Sequence, residues 1–207
     1  PNIVPAYDLG VSPTLGIFYT MKRLTGRPLA QVIAQLRKGD PATVQAFGMY
    51  RLLGCFIELC RAVAYAHARG VLHCDLKPEN VFIGEYGEVV LVDWGLAQVL
   101  GPDGRRQARA LMRAGTPEYM APEQIFGGAL GEAADWYAVG VMLFEALTGE
   151  LPFSGVSVTE LLQAKIAGEA PRPSSRSAGL PEDLEELCAE LVARDPDHRP
   201  GGEEVLA

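Results

Sequence analysis

The stretch LHCDLKPEN, residues 72–80, brings an acid, an amine and an amide close together in the chain. Phosphoryl transfer requires little covalent chemistry from a protein. It requires a carboxylate aimed at the attacking hydroxyl, metal ligands for the phosphates, and positive charge near the transferred group. Asp75 suits the first task, Lys77 can neutralise developing charge, and the amide oxygen of Asn80 can bind Mg²⁺. Their types and spacing therefore fit phosphoryl-transfer chemistry, although Asp and Asn taken singly are also common turn residues.

The segment VFIGEYGEVVLVDWG, residues 81–95, follows directly. It contains two short apolar runs around residues 85–87, a pattern that predicts a β-hairpin. Asn80 precedes the first predicted strand and Asp93 follows the second, so the two side chains are expected to converge. Asp93 is thus the candidate for a second metal ligand.

The remaining elements must position these residues. Residues 3–9 and 15–24 are rich in β-branched and aromatic side chains, and we predict an antiparallel strand pair with its turn near Gly10, Ser12 and Pro13. From residue 28 to residue 70 the apolar period is helical. Its two predicted buried faces are Leu29, Val32, Ile33 and Leu36, and then Phe47, Leu53, Ile57, Cys60, Ala64 and His67.

The second half of the chain is also mainly helical by pattern. Residues 135–147 are almost continuously apolar and predict a helix buried on most sides. Amphipathic helices are predicted at residues 158–166 and 183–192. Residues 101–113 have no apolar period and carry several arginines, so we expect a surface loop there.

Composition narrows the class of protein. The 207 residues are 48% hydrophobic, which is enough for one globular unit, and the formal net charge of -8 argues against a nucleic-acid-binding module. The four cysteines form no CxxC pair, and no apolar run approaches the roughly 18 residues of a membrane span. We therefore expect a cytoplasmic protein or the cytoplasmic domain of a larger one.

Six motifs in one order resemble the catalytic domain of eukaryotic-type (Hanks-type) Ser/Thr protein kinases, including their bacterial relatives. HCDLKPEN is similar to the catalytic loop H-R-D-L-K-x-x-N, DWG is similar to D-F-G, and GTPEYMAPE ends in A-P-E. Asp135 in DWYAVG, Glu145 in LFEALTGELPF and Arg199 in DPDHRP also fall where the family pattern has them.

The resemblance implies an α+β fold with a mostly helical C-terminal lobe, a remnant of the N-terminal-lobe sheet and a hairpin beside the catalytic loop. Residues 1–25 would be the last N-lobe strands and the hinge, and residues 26–207 the helical lobe. Within that lobe, residues 73–80 would be the catalytic loop and residues 93–123 the activation segment.

Roles near the catalytic loop follow from the same resemblance. Asp75 is implied as the catalytic base and Lys77 as the phosphate-facing lysine typical of Ser/Thr rather than Tyr kinases. Thr116 would hydrogen-bond near Asp75 and line the substrate pocket. Asn80 and Asp93 would bind Mg²⁺.

The nucleotide, ATP, would bind beside the predicted strand pair. Met21 falls at the gatekeeper position, the backbone from Lys22 to Leu24 would hydrogen-bond adenine as the hinge, and Phe82 stands at a nucleotide-contacting position. The protein substrate would offer a Ser or Thr hydroxyl, and some family members recognise an upstream arginine at the positions of Glu79 and Glu145.

Other residues are implied as structural supports. His73 is expected to be a packed, hydrogen-bonded scaffold residue rather than a proton shuttle. Glu123 and Arg199 would form a buried ion pair that closes the activation segment onto the helical lobe. Asp135 would tie the buried helix to the backbone of the catalytic loop.

Two departures from the family pattern carry expectations of their own. Cys74 replaces the arginine that pairs with a phosphorylated activation loop, and residues 94–115 contain no Ser, Thr or Tyr. We therefore hypothesise a kinase that loop phosphorylation does not switch. The chain also starts after the positions of the glycine-rich loop and the V-A-I-K lysine, so we expect this piece alone to bind ATP weakly.

Three functions remain open from the sequence. The leading one is a Ser/Thr protein kinase that transfers the γ-phosphoryl of Mg-ATP to protein hydroxyls, and the alternative is a pseudokinase or scaffold that binds partner proteins. Asp75, Lys77, Asn80 and Asp93 together favour the enzyme, because binding alone needs no such set. A small-molecule phosphotransferase is disfavoured by Lys77 and by GTPEYMAPE.

Overall fold

The computed structural model describes residues 1–14, 16–101, 106–107, 115–126 and 129–207. The fold is α+β, and the described strands form four small sheets among the helices. The helices are α1 Leu29–Arg37, α2 Pro41–Ala46, α3 Met49–His67, α4 Pro122–Phe126, α5 Glu132–Thr148, α6 Val158–Ala167, α7 Glu182–Leu191 and α8 Gly202–Val205. The predicted loop at residues 101–113 lies largely outside the described residues.

The predicted strand pair is present. Strands β1 (Ala6–Ser12) and β2 (Gly16–Met21) pair antiparallel, with Gly10 opposite Phe18. The turn is shorter than predicted, because Gly10 and Ser12 belong to β1. A Cβ on Gly10 would lie 2.6 Å from the Phe18 ring, so the absence of a side chain lets that ring cover the strand.

The predicted hairpin is also present. Strands β5 (Val81–Ile83) and β6 (Val89–Leu91) pair antiparallel, and β3 (Arg27–Pro28) adds to the free edge of β5. Gly87 makes the turn at a φ of 89°, a conformation that glycine adopts without steric cost. Asn80 and Asp93 therefore lie at the same end of the hairpin, just outside its two strands.

Two-residue strands complete the described sheets. β4 (Val71–Leu72) pairs with β7 (Gln98–Val99), and β8 (Arg106–Gln107) pairs with β9 (Ala129–Leu130). β4 runs directly into residues 73–80, the predicted catalytic loop. It is therefore the element that delivers His73 to its position.

Helix α5 forms the centre of the core, as predicted from its apolar run. Most of its side chains are buried, including Trp136, Tyr137 and Phe144, which are at most 1% exposed. The helix ends at Gly149, whose φ of 74° is the left-handed C-terminal conformation that favours glycine.

The predicted face of the long helix was partly wrong. Ile57 is 46% exposed, whereas Leu52, Phe56, Leu59 and Val63 of α3 are buried. The prediction treated Phe47 and the residues after it as one helix. The chain instead leaves the helical conformation at Phe47, and α3 starts after Gly48. The buried face of α3 therefore does not continue the helical period counted from Phe47.

The α5–α7 contact depends on a glycine. A Cβ on Gly140 would lie 2.6 Å from Cβ of Leu191 and 3.0 Å from Cγ1 of Val192.

We expect Gly140→Ala to lower the free energy of unfolding by about 1–3 kcal/mol through overpacking, measured by denaturant unfolding. Gly54→Ala in α3 is the matched control: its Cβ would meet nothing within 4 Å, so helix propensity alone should stabilise that variant by up to about 1 kcal/mol. Equal effects at both sites would contradict this account.

None of the helices in the described ranges combines the length and the apolar character that crossing a bilayer requires.

Candidate active site

The predicted catalytic loop, residues 73–80, begins in a strained conformation that a buried carboxylate holds. Cys74 is 4% exposed and has a φ of 65°, which is unfavourable for a residue with a Cβ and typically costs about 1–3 kcal/mol. The backbone amides of His73 and Cys74 donate to the two oxygens of Asp135 at 2.8 and 2.9 Å. Asp135 thus links α5 to the loop and offsets the strain.

Asp135 itself is 2% exposed and needs partners for its charge. Burial would raise the pKa of Asp135, but the hydrogen bond and charge of His67, with smaller contributions from His73, hold the pKa below its usual value. His67 Nε2 donates to Oδ2 of Asp135 at 2.9 Å. Asp135 is therefore ionised at neutral pH and can accept all three hydrogen bonds.

His73 packs under the loop, with its side chain 1% exposed. Nε2 of His73 donates to the carbonyl of Val92 at 3.0 Å, and Nδ1 accepts from the amide of Asp75 at 3.3 Å. Both contacts are satisfied by the neutral tautomer with its proton on Nε2. The Trp94 ring lies 4.7 Å from the imidazole, centroid to centroid, so His73 connects the loop to the DWG segment.

Asp75, Lys77 and Thr116 form one hydrogen-bonded cluster. Lys77 Nζ lies 2.9 Å from Oδ2 of Asp75 and 2.9 Å from Oγ1 of Thr116. Oδ1 of Asp75 accepts from the backbone amide of Thr116 at 3.1 Å and from its hydroxyl at 3.3 Å. The carboxylate is therefore fixed in orientation, although its side chain keeps 10% of its surface exposed.

Asn80 and Asp93 offer oxygen ligands at the end of the hairpin. The Asn80 amide nitrogen donates to the backbone carbonyl of Asp75 at 2.9 Å, so its amide oxygen is the side-chain atom that can bind a cation. Asp93 has a φ of 60° and an exposed side chain, with Oδ1 accepting from the amide of Gly95 at 3.3 Å. A carboxylate and an amide oxygen suit Mg²⁺, which usually takes its remaining ligands from phosphates and water.

The residues predicted to bind the nucleotide lie in the β1–β2 pair, just after it and in the hairpin. Met21 ends β2 and lines a largely apolar cavity of about 720 Å³, which Trp94 and Gly95 also line. The amide of Lys22 donates to the carbonyl of Pro5 at 3.2 Å. Leu24 and Phe82 are partly buried but do not line this cavity.

The segment that begins at residue 115, part of the predicted activation segment, is anchored at its far end. Arg199, whose side chain is fully buried, pairs both guanidinium nitrogens with Glu123, at 2.6 and 2.9 Å. It also donates to the carbonyls of Ala133, Ala193 and Arg194. Five hydrogen bonds thus satisfy the buried guanidinium group.

Residues 116–120, here called the 116–120 segment, pass beside Asp75. The amide of Tyr119 donates to the carbonyl of Thr116 at 3.0 Å and closes a turn. Its hydroxyl donates to Oε2 of Glu145 in α5 at 2.7 Å. Burial, followed by the charge of Glu145, raises the pKa of Tyr119, so this hydroxyl stays protonated as a donor.

Two residues at the site were missed by the sequence reasoning. Gln124 is 4% exposed and joins the catalytic loop to the APE motif, donating to the carbonyl of Cys74 at 3.1 Å and accepting from the amide of Ala121 at 2.8 Å. The sequence signal that could have identified Gln124 is its position directly after Glu123 of the APE motif. Lys165 of α6 is 1% exposed, and nothing in its sequence surroundings indicates burial, because lysines are almost always solvated.

Comparison with known proteins agrees with this geometry. The family model for the protein kinase domain matches residues 1–207. The chain is 30% identical over 199 residues to the serine/threonine-protein kinase PrkC of Bacillus subtilis, an alignment that covers 96% of this chain and 29% of that protein. It is 32% identical over 208 residues to the DNA damage-responsive serine/threonine-protein kinase RqkA of Deinococcus radiodurans, covering 100% of this chain and 30% of that protein.

A third relative is the serine/threonine-protein kinase PknD of Protochlamydia amoebophila, 36% identical over 179 residues, with 77% of this chain and 18% of that protein covered. The chain belongs to the protein kinase domain family. The predicted fold class is therefore confirmed. The chain spans less than a third of the length of these three relatives.

Proposed function

We propose that the protein is a Ser/Thr protein kinase that transfers the γ-phosphoryl group of Mg-ATP to hydroxyl groups of proteins. The observation that carries this proposal is the Asp75–Lys77–Thr116 cluster, in which a carboxylate, an ammonium group and a hydroxyl are held within 2.9–3.3 Å of one another. Membership of the protein kinase domain family supports it.

In this proposal Asp75 accepts a hydrogen bond from the substrate hydroxyl and takes its proton as the oxygen bonds to the γ-phosphorus. The bond from that phosphorus to the β–γ bridging oxygen breaks, and ADP leaves with the bonding electron pair. Thr116 holds Oδ1 of Asp75. Oδ2, which lies 2.9 Å from Lys77 Nζ, keeps a second lone pair for the substrate hydroxyl. Lys77 is close enough to both residues to neutralise charge that develops on the transferred group. The chemistry is thus mainly positioning and electrostatic stabilisation.

Asn80 and Asp93 are the residues that hold Mg²⁺ in this proposal. The cation, when bound, neutralises charge on the β- and γ-phosphates. Met21, the Lys22–Leu24 backbone and Phe82 bind the nucleotide base. The cavity at Met21 has a volume within the range of small-molecule sites, which supports nucleotide binding on this side.

The substrate is a protein with a Ser or Thr acceptor rather than a nucleic acid. Glu145 accepts a hydrogen bond from the hydroxyl of Tyr119, and Glu79 is an exposed residue of the catalytic loop, so a basic residue near the acceptor would meet negative charge. We place the reaction in the cytoplasm, where ATP is available and where buried cysteines such as Cys55 and Cys60 stay reduced.

We further propose that activation-loop phosphorylation does not control this kinase. Cys74 lies where a phosphate-binding arginine would stand, and both its amide and its carbonyl are already bound, to Asp135 and Gln124. Phosphatase treatment of the full-length protein should leave its initial transfer rate unchanged within about twofold, as expected when no phosphate–arginine pair orders the loop. A phosphate mapped to residues 94–115 that raises the rate would contradict this.

The experiment that tests the proposed function is transfer of labelled γ-phosphate by the full-length protein to Ser, Thr and Tyr versions of one acceptor peptide. We expect Mg²⁺-dependent labelling of the Ser and Thr peptides that chelation of the metal abolishes. A pseudokinase or scaffold would instead bind partners and give no labelling above background. That outcome would reject the proposal.

A further inference from the structure

We propose that Lys165 is a positioning residue for the protein substrate: from helix α6 it holds the backbone of the 116–120 segment in place beside Asp75. The inference rests on the proposed kinase function. The inference adds to that function a residue, Lys165, that lies outside the motifs that define the site.

The ammonium group of Lys165 is buried and bound to two carbonyls of one short stretch. Nζ donates to the carbonyl of Glu118 at 2.6 Å and to that of Met120 at 2.8 Å. The ring of Tyr137 in α5 lies 5.3 Å from Nζ and adds a cation–π contact. Because the two acceptors flank Tyr119, one side chain fixes the backbone on both sides of that residue.

Burying an amine in this way has a cost. Burial lowers the pKa of Lys165 to about 7, with the nearby charge of Glu118 acting in the opposite direction. The hydrogen bonds to the carbonyls compensate the lost hydration, and they do so only while the segment keeps its present path. The geometry of the segment and the position of α6 are therefore coupled.

The 116–120 segment is held from several sides. Thr116 is bound to Asp75, the turn is closed between Thr116 and Tyr119, and Tyr119 is bound to Glu145 of α5. Lys165 supplies the contact from α6. Without it, the carbonyls of Glu118 and Met120 would lose their hydrogen-bond donor, and the path of the segment beside Asp75 would be less defined.

The expected effect falls on the substrate side of the site. In the part of the chain that the structure describes, the hydrogen bonds of Lys165 go to the 116–120 segment and not to Asp75, Lys77 or Asn80. Loss of Lys165 should therefore weaken use of the protein substrate more than use of ATP. Misplacement by about 1 Å of the residues that position a substrate can cost about 100-fold in reaction rate.

The test uses Lys165→Met, Lys165→Arg and the control Lys38→Met in the full-length protein. Met keeps the length of the side chain without a donor, Arg keeps charge and donors, and Lys38 is an exposed lysine after α1. The probe is an arginine-containing serine peptide selected on the wild-type enzyme. Steady-state kinetics give kcat, KM for the peptide and KM for Mg-ATP, and ATP hydrolysis is measured without peptide.

We expect Lys165→Met to raise KM for the peptide about 10-fold or more, with KM for Mg-ATP and the hydrolysis rate within about threefold of wild type. Lys165→Arg should have a peptide KM between those of Lys165→Met and wild type, and the peptide KM of Lys38→Met should match wild type.

An unchanged peptide KM in Lys165→Met, or equal losses in peptide transfer and ATP hydrolysis, would overturn the inference. If Lys165→Met does not fold, the same kinetic measurements are made on Lys165→Gln, which keeps one donor group, and the same outcomes support or overturn the inference. A wild-type protein that labels no peptide would reject the proposed function instead.

Discussion

Replacing Arg199 by Met is expected to lower the free energy of unfolding by about 3–5 kcal/mol. The change leaves the carboxylate of Glu123 without its partner in a site where that side chain is only 11% exposed, and it removes the donor from three backbone carbonyls. Breaking a buried ion pair from one side is costly for this reason. Denaturant unfolding of the protein, monitored by the fluorescence of its tryptophans, measures the effect.

The chain contains a matched control for this substitution. Arg176 pairs with Glu150 at 2.8 Å, but both side chains are nearly half exposed. Arg176→Met should therefore change stability by no more than about 0.5 kcal/mol. Adding Glu123→Met to Arg199→Met should recover part of the loss, because it removes the unpaired carboxylate. Similar small effects for both arginines would contradict the role given to Arg199.

The second large effect is expected at Asp75. Asp75→Asn should lower kcat for peptide phosphorylation by about 10²- to 10⁴-fold, the usual contribution of a general base. The asparagine oxygen can still accept from the amide of Thr116, and Asn80 binds the backbone rather than the side chain of residue 75. Stability and nucleotide affinity should therefore change little.

Two measurements distinguish loss of chemistry from loss of structure in Asp75→Asn. The melting temperature and the Kd for Mg-ATP should both stay close to the wild-type values while kcat falls. Asp183→Asn, at an exposed position in α7, removes a carboxylate far from the catalytic loop in sequence and should leave kcat unchanged. A kcat within threefold of wild type for Asp75→Asn would show that the carboxylate is not the base.

The grouping of the candidate site residues could be predicted from sequence because most of them are close together along the chain. Asp75, Lys77 and Asn80 lie in one loop, and the hairpin pattern of residues 81–91 brings Asp93 to the same end. Short turns and alternating apolar runs have few structural solutions, so these elements were predicted well.

Long-range packing could not be predicted in the same way. The phase of α3 depends on where the helix restarts after Phe47, and a shift of one residue rotates the buried face by about 100°. Lys165 and Gln124 are polar, and polarity predicts exposure. Both side chains are buried against backbone carbonyls that lie 45 and 47 positions away for Lys165 and 50 for Gln124. The left-handed conformation of Cys74 likewise depends on Asp135, 61 positions further along the chain.

The most direct test of the central claim is a side-by-side assay of γ-phosphoryl transfer by full-length wild-type protein, Asp75→Asn and Asp93→Ala. Asp93 is the exposed carboxylate proposed to hold Mg²⁺, and Asp75 is the proposed base. We predict labelling of a Ser/Thr acceptor by the wild type and signals near background for both variants. Equal signals from all three proteins would contradict the assignment of this loop and hairpin as a kinase active site.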